Sequence, residues 1–489
     1  MPEKYVLTID QSTQSTKVLL IDQNNQIFWK TSLPHKQIVS KNGWISHDLS
    51  EIKTNLKKLF EAALMQVKPD QLTALAITNQ RESAAAWSKK TGAPLCNTIV
   101  WQDNRAEKLI KSISYPKLAE TVKTKTGLAL SPYFTGAKWD WMLLHEPKVI
   151  QAQKKDDLCL GTMDSWLIYQ LTNKKSFKTE PSNACRTQLM NIHTGKWDQE
   201  LGAIFGIAIE SLPEIVDSNS HFGNTNLFGL LDHSIPIMSV LGDSQAALYA
   251  HGCFNAGDFK VTFGTGSSVM LNIGSNLPRS IQNKLNTSIA WSLNGQTSYV
   301  LEGNINYAGA CITWLKDNLK LISSPKETSN LALAANRNDH TCLIPAFAGL
   351  GAPYWQPDMK AAFVGMTTIT GKNELVKATL DSLVYQISDT ISELKKLFPQ
   401  INRELNVDGG MIQNQYLMQY LSDITRMQVK LAAVSELSAL GTAMNAMNHN
   451  NKIAAVKVYS PKMKFSQAQL YRKDWENWLN ILSTKQSAL

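Results

Sequence analysis

Tyr5-Val-Leu-Thr-Ile-Asp10-Gln-Ser-Thr-Gln-Ser-Thr16-Lys17-Val-Leu-Leu-Ile-Asp22 sets two apolar runs on either side of a turn made only of Gln, Ser and Thr. Residues 5–10 and 17–22 read as the strands of a hairpin, and residues 11–16 as its turn. Working outward, Ile52, Leu56, Leu59, Phe60, Ala63, Leu64 and Val67 recur at helical spacing, which predicts a helix over residues 49–67 stopped by Pro69 and Asp70. Leu72, Leu75 and Ile77 then form a short strand that runs into the polar turn Thr78-Asn-Gln-Arg-Glu-Ser83.

The second half follows the same plan in different letters. Asp258–Phe263 reads as a strand, Gly264–Ser268 as a turn and Val269–Ile273 as the return strand. Residues 373–398 read as a long helix with Leu380, Leu383, Val384, Ile387, Ile391 and Leu394 inward, ended by Pro399. Glu404–Val407 is the next strand, and Asp408-Gly409-Gly410 its turn. Two similar α/β domains around a cleft explain this order, with 1–250 and 251–489 as their extents. Chance recurrence of hairpins and helices explains it too, and pattern alone leaves both open.

The 489 residues favour two or more domains at ~100–200 residues each. With 43% hydrophobic and 18% charged residues, the composition excludes a disordered or fibrous chain. Lys plus Arg exceed Asp plus Glu by 49 to 40, an excess that suits anionic partners but does not select nucleotide, nucleic acid or membrane surface. The six cysteines are scattered singly, with no spacing typical of a zinc site or a disulfide framework. No apolar run reaches the ~18 residues of a membrane span, and the first apolar run is too short for a signal peptide. The expectation is a reduced, soluble, cytoplasmic protein.

Phosphate chemistry has no standard loop here. The nearest approach to G-x-x-x-x-G-K-[ST], Gly365 to Gly371-Lys372, has one residue too many and continues with Asn373. Gly264-Thr265-Gly266 lacks the third glycine of a dinucleotide fingerprint, and the protein-kinase motifs are absent. What remains is turns at strand ends. Ser12, Thr13, Ser15 and Thr16 offer backbone N–H groups and hydroxyls that hold phosphate oxygens, and Gly264 and Gly266 let the backbone approach an anion. Asp10, at a strand end, has the right group for Mg²⁺. Each feature also suits an ordinary turn. Asp243 precedes a helical run, so it reads either as an N-cap or as a carboxylate kept charged by the helix start and available as a base. Arg81-Glu82 pairs five donors with an acceptor, as a polyhydroxylated ligand would require, or forms a surface ion pair. Trp101 packs against carbons of a ligand or fills the core.

In these residues the sequence resembles the FGGY carbohydrate kinases, and among them the glycerol kinases, over nearly its full length. The matching strings run in order from Ile9-Asp-Gln-Ser-Thr-Gln-Ser-Thr16 through Ile77-Thr-Asn-Gln-Arg-Glu82, Ile99-Val-Trp-Gln102, Pro132-Tyr-Phe-Thr-Gly-Ala-Lys138 and Asn183-Ala-Cys-Arg-Thr187 to Asn191-Ile-His-Thr-Gly-Lys-Trp-Asp198. They continue with Gly242-Asp-Ser-Gln-Ala-Ala-Leu248, Gly264-Thr-Gly266, Leu301-Glu-Gly303, Pro345-Ala-Phe-Ala-Gly-Leu-Gly-Ala-Pro-Tyr-Trp355 and Val407-Asp-Gly-Gly410. The resemblance implies two ribonuclease H-like domains of the actin and hexokinase type, closing on a cleft. It implies Mg²⁺·ATP-dependent phosphorylation of a terminal polyol hydroxyl, giving glycerol 3-phosphate from glycerol. Asp243 is then the base. Arg81, Glu82, Trp101, Tyr133, Asp243 and Ser244 surround the polyol. Thr13, Gln14, Ser15, Lys17 and Thr265 face the phosphates; Gly309, Thr313, Gly410 and Asn414 lie toward the adenosine; and Asp10 supports Mg²⁺. The expected partners are a small polyol and further copies of the chain, as a dimer or tetramer, with no nucleic acid and no membrane insertion.

Departures from the family pattern bear on substrate choice. Ser244 stands where glycerol kinases usually carry Gln, and Ser268 where they usually carry Phe; both shorten side chains and point to room for a larger polyol or ketose as an alternative substrate. Ser12 replaces a usual Gly, Lys17 a usual Arg and Thr313 a usual Gln; Lys keeps the charge but loses the bidentate fork. Leu230-Leu-Asp-His-Ser234 replaces the Gly/Arg-rich loop that binds fructose 1,6-bisphosphate in bacterial glycerol kinases, so the resemblance does not carry that regulation over. A non-enzymatic nucleotide-binding protein of the actin superfamily is the third reading, and it has no use for Asp243 or Arg81-Glu82.

Overall fold

The structure, a computed structural model, describes residues 3–278 and 284–486. The first hairpin forms where the sequence predicts but with a shorter turn: β1 (Tyr5–Gln11) pairs antiparallel with β2 (Ser15–Asp22), and β2 with β3 (Ile27–Pro34). Gln11, Ser15 and Thr16 belong to the strands, and residues 12–14 alone make the turn. Every residue of β1 is buried, as in a central strand covered on both faces. Helix α1 (Leu49–Leu64) starts at Asp48, whose side chain accepts the Ser50 N–H, and it buries Ile52, Leu56, Leu59, Phe60 and Ala63. It ends before the expected stop. The Gln66 N–H turns back to the Ala63 carbonyl, and Lys68 is already extended, as a residue before proline must be. Strand β4 (Leu72–Asn79) then lies parallel to β1. Helix α2 (Met163–Leu171) is buried on all sides, and β5 (Ile235–Gly242) lies parallel to β4 before running into α3 (Asp243–Ala250).

The second half builds β6 (Phe259–Phe263), β7 (Ser267–Gly274), β8 (Asn286–Leu293) and β9 (Gln296–Ile305) as an antiparallel set. The turn before β7 is tighter than expected, three residues closed by a bond from the Gly264 N–H to the Gly266 carbonyl, so Ser267 and Ser268 already belong to the strand. After α4 (Gly309–Asp317) come α5 (Lys372–Leu397), β10 (Glu404–Gly409), α6 (Gln415–Thr425), β11 (Gln428–Ala432), α7 (Leu437–Ala446) and β12 (Ala455–Tyr459). Strand β10 runs parallel to both β6 and β11.

A six-stranded and a seven-stranded sheet share a five-strand order, β5-β4-β1-β2-β3 in the first and β11-β10-β6-β7-β9 in the second, with the same directions at each position; β8 and β12 extend the second at its two edges. The long helix α5 falls where α1 does, and α7 follows its last parallel strand as α3 follows its own. These are the two ribonuclease H-like halves expected above. The strand ends at Gln11, Asn79, Gly242, Phe263 and Gly409 lead into the turns where an α/β sheet presents its ligand crevice, and Asp10 lies one residue before the first of them.

Each half has its own apolar core, and a third core joins them. In it α7 lies beside α3 and on β4, β1 and β5 of the first sheet, while α3 reaches β6 and β8 of the second. The two helices touch backbone to backbone: a Cβ on Gly441 would lie 1.8 Å from the Ala246 carbonyl oxygen. Gly441→Ala should therefore force the helices apart and lower unfolding stability by about 1–3 kcal/mol, read from the midpoint of denaturant unfolding. An unchanged midpoint would show that the helix pair tolerates separation.

Candidate active site

Arg81 leaves the end of β4 and is buried where the halves meet. Its Nε donates to Asp243 Oδ1 at 3.1 Å and its Nη2 to Ser244 Oγ at 3.0 Å. Along the adjoining edge Nη1 and Nη2 both reach Glu302 Oε1 at 3.4 Å, across from β9 of the second half. Glu82 is held in the left-handed region with φ +61°. Its carboxylate accepts from Arg186 Nε, and Arg186 Nη1 donates to Glu302 Oε2 at 2.8 Å and Ser288 Oγ at 2.9 Å. Ser268 Oγ donates to Glu302 Oε1 at 3.0 Å. Burial alone would raise the Glu302 carboxyl; Arg186 and Arg81 outweigh it and pull it down to about 2. Arg81 and Glu82 are thus no surface pair: both are buried, and each is tied to a different partner.

Asp243 is no N-cap either. It is the first residue of α3, with Gly242 at the cap position, and its Oδ1 accepts the Ser244 N–H at 2.6 Å. The side chain keeps 40% of its surface exposed, toward the cleft. Trp101, half-buried, donates from its indole to Thr13 Oγ1 at 2.9 Å and meets the Tyr133 ring edge-on at 6.0 Å. Lys138, fully buried, donates to the carbonyls of Glu82 (3.1 Å) and Tyr133, so one ammonium fixes the backbone of both. Burial pushes its pKa down to about 7.

Beside Asp243 and Ser244 opens a cavity of 420 Å³ that also reaches Asp10, Ser12, Lys17, Lys260, Asp408, Gly410 and Glu436. Asp10 accepts from Ser12 Oγ at 2.6 Å and lies 3.5 Å from Lys17 Nζ. Burial lifts its carboxyl above the ordinary value against the pull of Lys17 and Ser12. Lys17 also binds Glu436, at 2.6 Å across the cleft. Asp408 sits between His251 Nε2 (2.9 Å) and Lys260 (3.9 Å); the Lys260 charge and the His251 hydrogen bond outweigh burial and keep its carboxyl below the ordinary range. The chain turns at Gly409 with φ +99°, where a Cβ would lie 2.2 Å from the Phe263 carbonyl oxygen, so only glycine fits this floor.

Four carboxylates, Asp10, Asp243, Asp408 and Glu436, line this one cavity, and Glu436 is already engaged by Lys17. Among the described residues no three His, Cys, Asp or Glu side chains converge to hold a metal ion by themselves. Mg²⁺ keeps several waters and takes one or two carboxylates beside phosphate oxygens, so this sparse set fits that ion arriving with a polyphosphate.

Of the residues expected toward a nucleotide, Thr265 and Gly309 are brought together: the Thr265 carbonyl accepts from Ala308 and Ala310, and the Gly264 carbonyl from Gly309. Gln14 is exposed and Ser15 half-buried at the β1–β2 turn, where the Ser12 N–H donates to the Ser15 carbonyl. Thr313 is exposed on α4, its hydroxyl bonded to the Gly309 carbonyl. The Asn414 side chain caps α6 by accepting from the Leu417 N–H and donates to Thr328 Oγ1. Lys138, Arg186, Lys260, Glu302, Asp408 and Glu436 also belong to the site, though none stands among the candidate residues above. Lys138, Arg186, Glu302 and Asp408 lie inside quoted strings and were within reach; Lys260 and Glu436 carried no signal. No helix among the described residues is long and apolar enough to cross a membrane.

Residues 5–250 match the N-terminal domain of the FGGY family of carbohydrate kinases, and residues 259–448 its C-terminal domain. Glycerol kinase 1 of Thermotoga maritima is 41% identical over 495 residues, covering 98% of this chain and 100% of that protein. The glycerol kinase of Halothermothrix orenii is 38% identical, covering 91% and 89%. Among solved structures, Plasmodium falciparum glycerol kinase with ADP superimposes with a TM-score of 0.90 at 32% identity, covering 98% of each chain.

The buried Lys138 has a measurable signature. With its pKa near 7 in the fold and near 10.5 unfolded, the unfolded chain binds more protons between those values, so stability rises with pH across that window. Lys138→Met should flatten that rise, by up to about 1.4 kcal/mol per pH unit at its steepest, measured by unfolding at pH 7 to 10. Parallel pH profiles for wild type and variant would show that Lys138 is not the group responsible.

Proposed function

This chain belongs to the FGGY family of carbohydrate kinases, and from that premise we propose that it transfers the γ-phosphate of ATP to a terminal hydroxyl of glycerol, giving glycerol 3-phosphate and ADP. One observation carries the reading: the Asp243 carboxylate is exposed in the cleft, oriented by Arg81, and lines the same cavity as Asp10, Lys17 and Gly410. The hydroxyl oxygen bonds to the γ-phosphorus, the bond from that phosphorus to the bridging oxygen breaks, and Asp243 accepts the hydroxyl proton. Positioning and charge stabilisation dominate such transfers, so a carboxylate placed by hydrogen bonds suffices as base. Arg81, Glu82, Trp101, Tyr133 and Ser244 surround the polyol in this reading. Thr13, Gln14, Ser15, Lys17 and Thr265 face the phosphates, and Gly309, Thr313, Gly410 and Asn414 the adenosine. Mg²⁺ comes as part of the ATP substrate, with Asp10 as its protein support, and neutralises phosphate charge.

Glycerol is favoured over a larger polyol or ketose because the relatives at 38–41% identity are glycerol kinases. The shortened side chains of Ser244 and Ser268 are engaged with Arg81 and Glu302, so they are not simply empty volume. The proposal extends to a cytoplasmic homo-oligomer, in keeping with six unpaired cysteines.

ATP-coupled assays across glycerol, erythritol, dihydroxyacetone, pentitols and ketopentoses should give glycerol the highest kcat/KM. A four- or five-carbon substrate in that place would contradict the assignment. Asp243→Asn should lower kcat by about 10²–10⁴-fold while ADP still binds, and near-normal turnover would remove Asp243 from its role.

A further inference from the structure

Glu302 belongs to the second half, is wholly buried, and touches no face of the cavity, yet its ligands are the arginines of the polyol side. Oε1 takes Arg81 and Ser268, and Oε2 takes Arg186, whose Nε in turn holds Glu82. A guanidinium is planar, with donors in a fixed fork, so its orientation follows from which edges are occupied. Glu302 takes the Nη1–Nη2 edge of Arg81, which adjoins the Nε–Nη2 edge held by Asp243 and Ser244 and shares Nη2 with it. Without that anion, the whole guanidinium charge would be free to collapse onto Asp243, and Arg186 would lose the partner that spaces it from Arg81.

We infer that Glu302 is a positioning residue for the polyol: reaching from the second half, it sets the plane of Arg81 and the placement of Glu82 through Arg186, with Ser268 as the third donor that fixes its own carboxylate. The inference rests on the reading of Arg81 and Glu82 as polyol contacts. It assigns Ser268 a polar task in place of the widened wall suggested by its short side chain. The nucleotide side has no share in this network, because Lys17, Asp408 and Gly410 make none of its bonds.

Steady-state kinetics on the full chain, with glycerol and ATP varied separately, test this directly. Glu302→Gln keeps the shape and removes the charge; it should raise the glycerol KM by at least about tenfold and leave the ATP KM within about twofold. Ser268→Ala removes one neutral donor and spares the ion pairs, so it should fold even if Glu302→Gln does not; it should raise the glycerol KM about threefold with the ATP KM unchanged. A merely structural role would lower the active fraction and move neither KM. An unchanged glycerol KM in Ser268→Ala, or glycerol and ATP KM values rising together, overturns the inference. The split is read on whichever polyol the wild type turns over best, so a preference for another polyol refutes the glycerol reading and leaves this one standing on its own result.

Discussion

Arg81, Glu82, Arg186 and Glu302 are packed out of water at the seam between the two halves, and their charges alternate in contact. Each alone would cost several kcal/mol to bury, and together they are tolerable only while every charge faces an opposite one. Three come from the first half and one from the second, so the alternation exists only with the halves joined. The joint between α3 and α7 supplies the closeness, since the Gly441–Ala246 contact leaves no room for even a methyl group. The same helix α3 begins with Asp243, which Arg81 also holds. Apolar packing of the helix pair and ionic pairing of the seam therefore position one and the same carboxylate.

The elements legible in the sequence were those with strong local pattern. Residues 5–10 and 17–22 are continuous apolar runs around a polar turn, and α1 and α5 carry helical spacing over many turns, so each was placed to within a few residues. The joint was not legible, because α3 and α7 are short and rich in alanine, with little difference between their faces. The candidate site was partly legible: Asp10, Lys17, Asp243, Ser244 and Gly410 do line one cavity, and Arg81 lies against Asp243. Missing were residues whose meaning is a distant partner. Glu436 has no motif of its own, and its sense appears only with Lys17, 419 positions away.

The departures from the family pattern illustrate the same limit. Read singly, Ser12, Lys17, Ser244 and Ser268 are losses of size or of a bidentate fork. In the structure each bonds a charged group of the cleft: Ser12 to Asp10, Lys17 to Glu436, Ser244 to Arg81 and Ser268 to Glu302. Small hydroxyls do not simply vacate space; they satisfy buried charge. The basic balance of the chain has an equally local meaning in the cavity, where Lys17 and Lys260 each already face a carboxylate.

The central proposal is that a phosphoryl group passes to a primary hydroxyl in the cleft beside Asp243. The most direct test is the proton-coupled ³¹P spectrum of a reaction of the purified chain with ATP, Mg²⁺ and glycerol. The account predicts a new phosphomonoester resonance split into a triplet by the two protons of one CH₂ group. A doublet, from a secondary ester, or a lone singlet of inorganic phosphate would contradict it.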